Sequence, residues 1–457
     1  MRKKLVSLLL TSVICLNVLA GCGSKPAPEE KKTPEASDAL QEETAAGTEE
    51  VSAGEAATDK DTAVDTNMTA ELNIWSSGEE LQRFVEGFNK IYPNITVNIT
   101  VIPNKEFLSK LTPVLSGGQD VPDIFTGESD YVKYLVNAGV WDDLTQEPYH
   151  AAEKLNDIWD YVKNVGTDDS GAVRALSWQT TPGSVIYRRD LAEKVLGVSE
   201  PEEVSAYLSD YNKMLETAAA FKENDITMFG SWEDVMLMAL SDRQQAWVVD
   251  GKLVIDAKME TFLDIVKEIY EKKYDLNVSQ WDPEWIAGVE SDNVFCYVLP
   301  TWGYSFMVKA NAVNTMGKWG LCEGPNPYIN GGTWLGIYKD SPNKDAAWAF
   351  MEYVTLNSEA LREYASLYGE YVGCKTADDA LAQETGEENL AGQNLYEFYN
   401  QVMAKNPNVT ITEYDGQINT AYKNAAKAYA TGKVTKEEAI TQFKEDVATA
   451  YPDLIIE

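Results

Sequence analysis

The sequence predicts an α/β fold divided into two lobes. Three observations carry this. Hydrophobic periodicities follow a β-α-β-α-β-α order between residues 72 and 139, the pattern of helices packed on a sheet. About 390 residues of ordinary globular composition follow an N-terminal region of different character, enough for two lobes. Beyond a turn at Thr181-Pro182-Gly183, a new strand opens a second, helix-rich half.

Leu72-Asn73-Ile74-Trp75 reads as the first strand, and Leu81, Phe84, Val85, Phe88 and Ile91 then share one helical face that Pro93 ends. Ile95, Val97, Ile99 and Val101 alternate as a half-buried strand. Phe107, Leu108, Leu111, Val114 and Leu115 form a second helical face closed by Gly117-Gly118. Asp123-Ile124-Phe125 is a short strand, and Tyr131, Tyr134, Leu135 and Ala138 mark a helix ended by Gly139. Val173 to Trp178 is expected to be a strand leading out of this lobe, with Val185-Ile186-Tyr187 opening the next. Val204, Tyr207, Leu208, Tyr211, Met214, Leu215 and Ala218 form a continuous apolar stripe. Trp247 to Ile255 reads as a hairpin turning at Asp250-Gly251. Phe262, Leu263, Val266, Ile269 and Tyr270 give another helix, and Thr435 with Glu438 form a capping box that opens the last one.

The N-terminal region explains where the lobes are held. Met1-Arg2-Lys3-Lys4 precedes an apolar run from Leu5 to Ala20, the charge-then-apolar order of a secretory signal and too short to span a membrane comfortably. It ends Leu19-Ala20-Gly21-Cys22, which resembles the bacterial lipobox, in which the cysteine is acylated and becomes the new N-terminus. Residues 1–21 are thus expected to be removed, and Cys22 to carry the only membrane anchor. Residues 23–67 hold 12 acidic and 4 basic side chains and no aromatic one. Such a segment buries too little apolar surface to offset its ordering entropy and is expected to be a disordered tether. Its end-to-end distance is about 35–40 Å.

Formal net charge is −35, and about −30 of it falls on the globular part. Nucleic-acid binding needs basic patches and is not expected. His150 is the only histidine, which argues against histidine catalysis and a multi-histidine metal site. Cys296, Cys322 and Cys374 are widely spaced with no CxxC pair, so buried free thiols are expected, with one disulfide left open. No cofactor is expected.

Four stretches, in order, resemble the extracellular solute-binding proteins of ATP-driven importers, specifically the maltose/oligosaccharide type (family 1). The first is Lys110-Leu111, Leu115-Ser116-Gly117-Gly118, Pro122-Asp123-Ile124 and Ala138-Gly139-Val140-Trp141-Asp142-Asp143-Leu144. The second is Arg174-Ala175-Leu176-Ser177 with Tyr187-Arg188-Arg189-Asp190, a partial match to the family's Tyr-Asn-Lys-Asp. The third is Leu299-Pro300-Thr301-Trp302-Gly303, and the fourth Gly331-Gly332-Thr333-Trp334-Leu335-Gly336-Ile337 followed by Ser341-Pro342-Asn343-Lys344.

The resemblance implies a periplasmic-binding-protein-like (type II) clamp of two hinge-linked α/β lobes with its ligand in the cleft. The first lobe would comprise residues 68–180 with 334–385, and the second 184–333 with 386–457. Crossings are expected near 180–184, 331–335 and 380–395. The implied partners are a carbohydrate, the transmembrane subunits of an ABC permease and, through Cys22, the outer face of the cell membrane; the chain is expected to act as a monomer and not as an enzyme.

A neutral sugar offers C–H faces for aromatic stacking and hydroxyls for carboxylates and amides. Trp302, where the resemblance places a stacking tryptophan, is the first candidate. Trp232 lies where relatives carry a ligand aromatic, and Trp334 at the second crossing suits either the cleft or hinge packing. Trp75 and Ser76 end the first strand, whose C-terminal end faces the crevice in open α/β sheets. Glu128 and Asp130 follow the third strand, where relatives place a hydroxyl-binding carboxylate; Asp130 equally suits a helix N-cap. Trp178 and Gln179 precede the first crossing, and Tyr414 completes the set, with Asp415 beside it. Trp141, Trp159, Trp319 and Trp348 are read as packing. Two other readings stand at this point: a surface glycoside hydrolase, which also uses tryptophan platforms and a carboxylate pair, and a receptor for a non-sugar solute.

Overall fold

The computed structural model describes residues 65–405, 407 and 411–457. The signal, Cys22 and the tether up to residue 64 lie outside the described residues, and so do their expected roles. Ten strands are numbered in chain order: β1 Ala70–Ser76, β2 Ile95–Val101, β3 Ile124–Glu128, β4 Gly183–Arg188, β5 Thr227–Phe229, β6 Val248–Val249, β7 Lys252–Leu253, β8 Val294–Pro300, β9 Trp319–Cys322 and β10 Thr333–Ile337. They form two four-stranded sheets, ordered β10-β3-β1-β2 and β5-β8-β4-β9, and the small hairpin β6-β7.

The first sheet is α/β in construction. β1 pairs parallel with β2 and with β3, so each connection must cross over through a helix, Gln82–Ile91 and then Asn104–Gly117. Leu72 and Ile74 are fully buried on β1 while Glu71 and Asn73 are exposed, the alternation that the sequence shows. β10 returns after the second lobe and adds an edge strand antiparallel to β3.

β8, at the heart of the second sheet, is buried at every position, which is why it reads as a continuous apolar run. It pairs antiparallel with β4 and parallel with β5. Tyr297 and Leu299 face one side with Ile186 and Leu321, whereas Cys296 and Val298 face the other with Val185 and Cys322. The first of these faces joins the core of the first lobe through helix Leu395–Ala404. Tyr399 of that helix meets Ser184 of β4, the hydroxyls 3.1 Å apart, and packs edge-on against Tyr371. The lobes therefore share apolar contact behind the cleft.

Several expectations are met. Asp250 and Gly251 both take positive φ, 50° and 72°, as a two-residue hairpin turn requires. Thr435 and Glu438 form the capping box on helix Lys436–Ala450. Cys296, Cys322 and Cys374 are buried and free. Others are corrected. Residues 173–178 make only single bridges, from Val173 to Thr167 and from Leu176 to Leu335, because this segment threads between different neighbours instead of running along one. The stripe from Val204 to Ala218 is two helices, Pro201–Tyr207 and Tyr211–Glu223. Asp210 interrupts it and caps the second by accepting from the Lys213 N–H at 2.9 Å. Trp302 opens a helical stretch that continues through Gly303–Val308 directly after β8.

Candidate functional site

Residues of both lobes line a cleft of about 550 Å³. Its first wall comes from the ends of β1 and β3. The chain leaves these adjacent strands in different directions, which opens a crevice at their C-terminal ends. Ser77 follows β1, its N–H bonded to Thr126 Oγ1 at 3.1 Å. Its hydroxyl donates to Glu128 Oε1, which also accepts from Thr333 Oγ1 at 2.8 Å. Burial pushes the Glu128 carboxyl up to about 7 against these bonds, and the nearby charges of Asp130 and Glu80 add to the rise. Near neutral pH Glu128 therefore exists in both forms, able to accept or to donate. Asp130 reaches solvent, yet protein on both sides thins its hydration and raises its carboxyl, while Lys423 pulls it back.

The second wall is different. Helix Trp232–Ser241 begins with a capping box between Ser231 and Asp234, which fixes the direction of its first turn. Glu233 turns toward the cleft, accepts from Ser279 Oγ at 2.9 Å and lies 3.6 Å from Lys423 Nζ. Asp234 turns inward. It accepts from Gln280 Nε2 at 2.8 Å, Trp285 Nε1 at 3.0 Å and the Ser231 N–H at 3.2 Å, and burial pushes its carboxyl up to about 8. Trp281 and Trp302 stack on this wall, ring centroids 5.8 Å apart and planes 25° apart, with Phe306, Met236 and Leu240 nearby.

The floor is the crossing segment before β10. Gly331 and Gly332 have φ of 103° and 101°, a conformation open only to glycine. A side chain at Gly331 would also meet Trp302, whose Nε1 lies 2.9 Å from where a Cβ would sit. Trp302 Nε1 donates to the Asn330 carbonyl at 3.1 Å, and Tyr161 OH donates to that of Gly331 at 2.6 Å. Gln179, on the other crossing, donates from Nε2 to Glu370 at 3.0 Å.

Of the residues singled out from the sequence, Trp302, Gln179, Glu128 and Asp130 line this cleft. Six do not. Trp232 is buried in the core of the second lobe: one step along a helix rotates the side chain by about 100°, so Glu233 takes the cleft and Trp232 the interior. Ser76 is 1 % exposed, and its neighbour Ser77 faces the cleft, because adjacent strand residues point to opposite sides. Trp75 packs half-buried against the first-lobe core. Trp334 is fully buried, bonded to the Val162 carbonyl at 3.0 Å and edge-on to Tyr161, so it serves hinge packing. Trp178 is likewise interior. Tyr414 packs against Tyr451, and its neighbour Asp415 pairs with Arg243 at 2.8 Å. The sequence reading missed Trp281, Glu233, Gln280, Asn330 and Lys423. Only Trp281 carried a signal, as a tryptophan in a polar stretch directly before the Asp282-Pro283 helix start.

A family model described as bacterial extracellular solute-binding protein matches residues 83–388. No match is found among curated proteins. Among solved structures, an extracellular solute-binding protein of family 1 is similar with a TM-score of 0.71 and 19% identity, covering 83% of this chain and 99% of that one. An ABC-transporter-associated binding protein of Bifidobacterium animalis subsp. lactis, in complex with β-1,6-galactobiose, gives 0.68 and 18%, covering 85% and 100%. An ABC substrate-binding protein of Listeria monocytogenes, in complex with cycloalternan, gives 0.65 and 17%, covering 84% and 100%. At these identities the likeness speaks for the two-lobed binding-protein fold.

Proposed function

The chain belongs to the bacterial extracellular solute-binding protein family, and from that premise we propose that its cleft captures an uncharged oligosaccharide and delivers it, chemically unchanged, to an ABC permease. One observation carries the choice of ligand. Two neighbouring tryptophans form a ledge on one wall, and hydroxyl-binding groups (Ser77, Glu128, Asp130, Gln179) stand on the other. Pyranose rings need both chemistries at once. The charge of the cleft argues the same way. Glu80, Glu128, Asp130 and Glu233 face it against Lys423, so uronates, sulfates and phosphates are repelled. The complexes with β-1,6-galactobiose and cycloalternan formed by its structural relatives support a saccharide ligand.

The remaining parts of the proposal concern delivery. Lipid on Cys22 holds the monomeric chain at the outer face of the membrane, and the acidic tether gives the clamp reach to the permease. The roles of Gln179, Glu128 and Asp130 as ligand contacts, and of Trp302 in the aromatic ledge, belong to this proposal too. The test is a thermal-shift screen with β-1,6-galactobiose, cycloalternan, maltotriose and cellotriose, followed by chromatography of the incubated sugar. Stabilisation with the sugar recovered intact is expected. Shortened products would establish a glycoside hydrolase instead, and stabilisation only by a non-sugar solute would reassign the ligand.

A further inference from the structure

Trp281 is held in a conformation that tryptophan rarely adopts. Its φ is 68°, in the left-handed region, where a bulky side chain is an outlier, and the residue is 52% exposed. Such strain persists only where surrounding structure over-determines it, and it gathers at ligand clamps. Both flanks are pinned here. Gln280 and Trp285 donate to opposite oxygens of buried Asp234, and the Ser279 N–H donates to Asp282 at 2.9 Å. The indole of Trp281 stacks on Trp302 with centroids 5.8 Å apart and meets Trp285 at a tilt of 56° with centroids 5.4 Å apart.

The two rings of the ledge are not equivalent. Trp302 is only partly exposed, spends its N–H on the Asn330 carbonyl and has Trp281 stacked on it. Gly331 closes on its edge. Centroids 5.8 Å apart leave no room for a sugar ring between the two indoles. Trp281 is the more exposed ring of the ledge.

Building on the carbohydrate reading of the cleft, we infer that Trp281 is the ligand-stacking residue, with a pyranose C–H face lying on its outer surface and Trp302 serving as the backing that keeps its ring flat to the cleft. The left-handed backbone projects the indole out of its loop and into the ligand's path. In this arrangement Gln280 and Glu233, beside the ledge, reach the hydroxyls at the rim of the stacked ring.

The full chain tests this with the saccharide of the four above that most raises the wild-type melting temperature. Calorimetry on Trp281→Ala is expected to show binding at least tenfold weaker, with Trp281→Tyr restoring most of it. Acrylamide quenching separates stacking from general damage. Ligand should shield part of the wild-type fluorescence from acrylamide. The shielding should vanish in Trp281→Phe, which keeps a ring and still binds, and persist in Trp159→Phe, which lies away from the cleft. Affinity unchanged in Trp281→Ala, or shielding that survives in Trp281→Phe, would overturn the inference while leaving the carbohydrate reading intact. A wild type stabilised by none of the four sugars would overturn both.

Discussion

The two walls of the cleft divide one recognition task. The first-lobe wall is polar and built on strand ends: Ser77 after β1, Glu128 at the end of β3 with Asp130 just beyond it, and Gln179 on the crossing. The second-lobe wall is aromatic and built on a loop and a helix start: Trp281, Trp302 and Phe306, with Glu233 beside them. Strand ends suit the polar wall because hydrogen bonds to hydroxyls demand exact direction, and a sheet fixes direction well. Stacking tolerates more lateral freedom, so a loop suffices once its aromatic is buttressed, as Trp281 is by Trp285 and Trp302. Division of labour of this kind makes each wall separately breakable.

The largest expected effect comes from removing the aromatic wall. Trp281→Ala with Trp302→Ala should weaken saccharide binding about a hundredfold, roughly 2.7 kcal/mol, read by calorimetry; loss below tenfold would move the binding energy to the polar wall. Asp234→Ala strikes the same wall from behind. It leaves the Trp285 and Gln280 donors unpaired, and should cost about 2 kcal/mol of stability in denaturant melts; an unchanged midpoint would show that the network supports nothing.

The polar wall should respond to pH through Glu128. Glu128 is raised from its ordinary 4.5 to about 7, so between these values the folded chain holds a proton that the unfolded chain has lost. Its contribution to stability is therefore greatest at low pH and falls as pH rises through about 7. A sugar hydroxyl donating to the carboxylate favours the ionised form, so affinity should rise several-fold from pH 6 to 8. Glu128→Gln should flatten both profiles, and titrations at the two pH values check this. The smallest expected effect belongs to the interior tryptophans. Trp232→Phe and Trp334→Phe should lower the melting temperature yet leave affinity within about twofold, since both rings lie away from the cleft.

The same contrast explains what the sequence made legible. Glu128, Asp130 and Gln179 were found because the family resemblance places a hydroxyl-binding carboxylate after the third strand and a lobe crossing just beyond Gln179. Ser76 and Trp232 were each chosen one residue away from a cleft residue, Ser77 and Glu233. Knowing that a strand or helix ends at a site does not give its phase, and a single step reverses a strand side chain or turns a helical one by about 100°. Trp281 depended on more: a left-handed backbone held by Asp234, Trp285 and Trp302, residues 47 positions or fewer away on one side and 21 on the other, which no local pattern announces. Lys423 sits mid-helix and reaches the cleft only because helix Asp415–Ala430 packs beside it.

The central claim is that both walls close on one ligand. Hydrogen–deuterium exchange of the full chain, with and without a saturating saccharide from the thermal-shift screen, tests it most directly. The account predicts simultaneous protection of residues 76–78 and 128–130 in the first lobe and of residues 279–285 in the second. Protection confined to one lobe, or appearing away from the cleft, would contradict it.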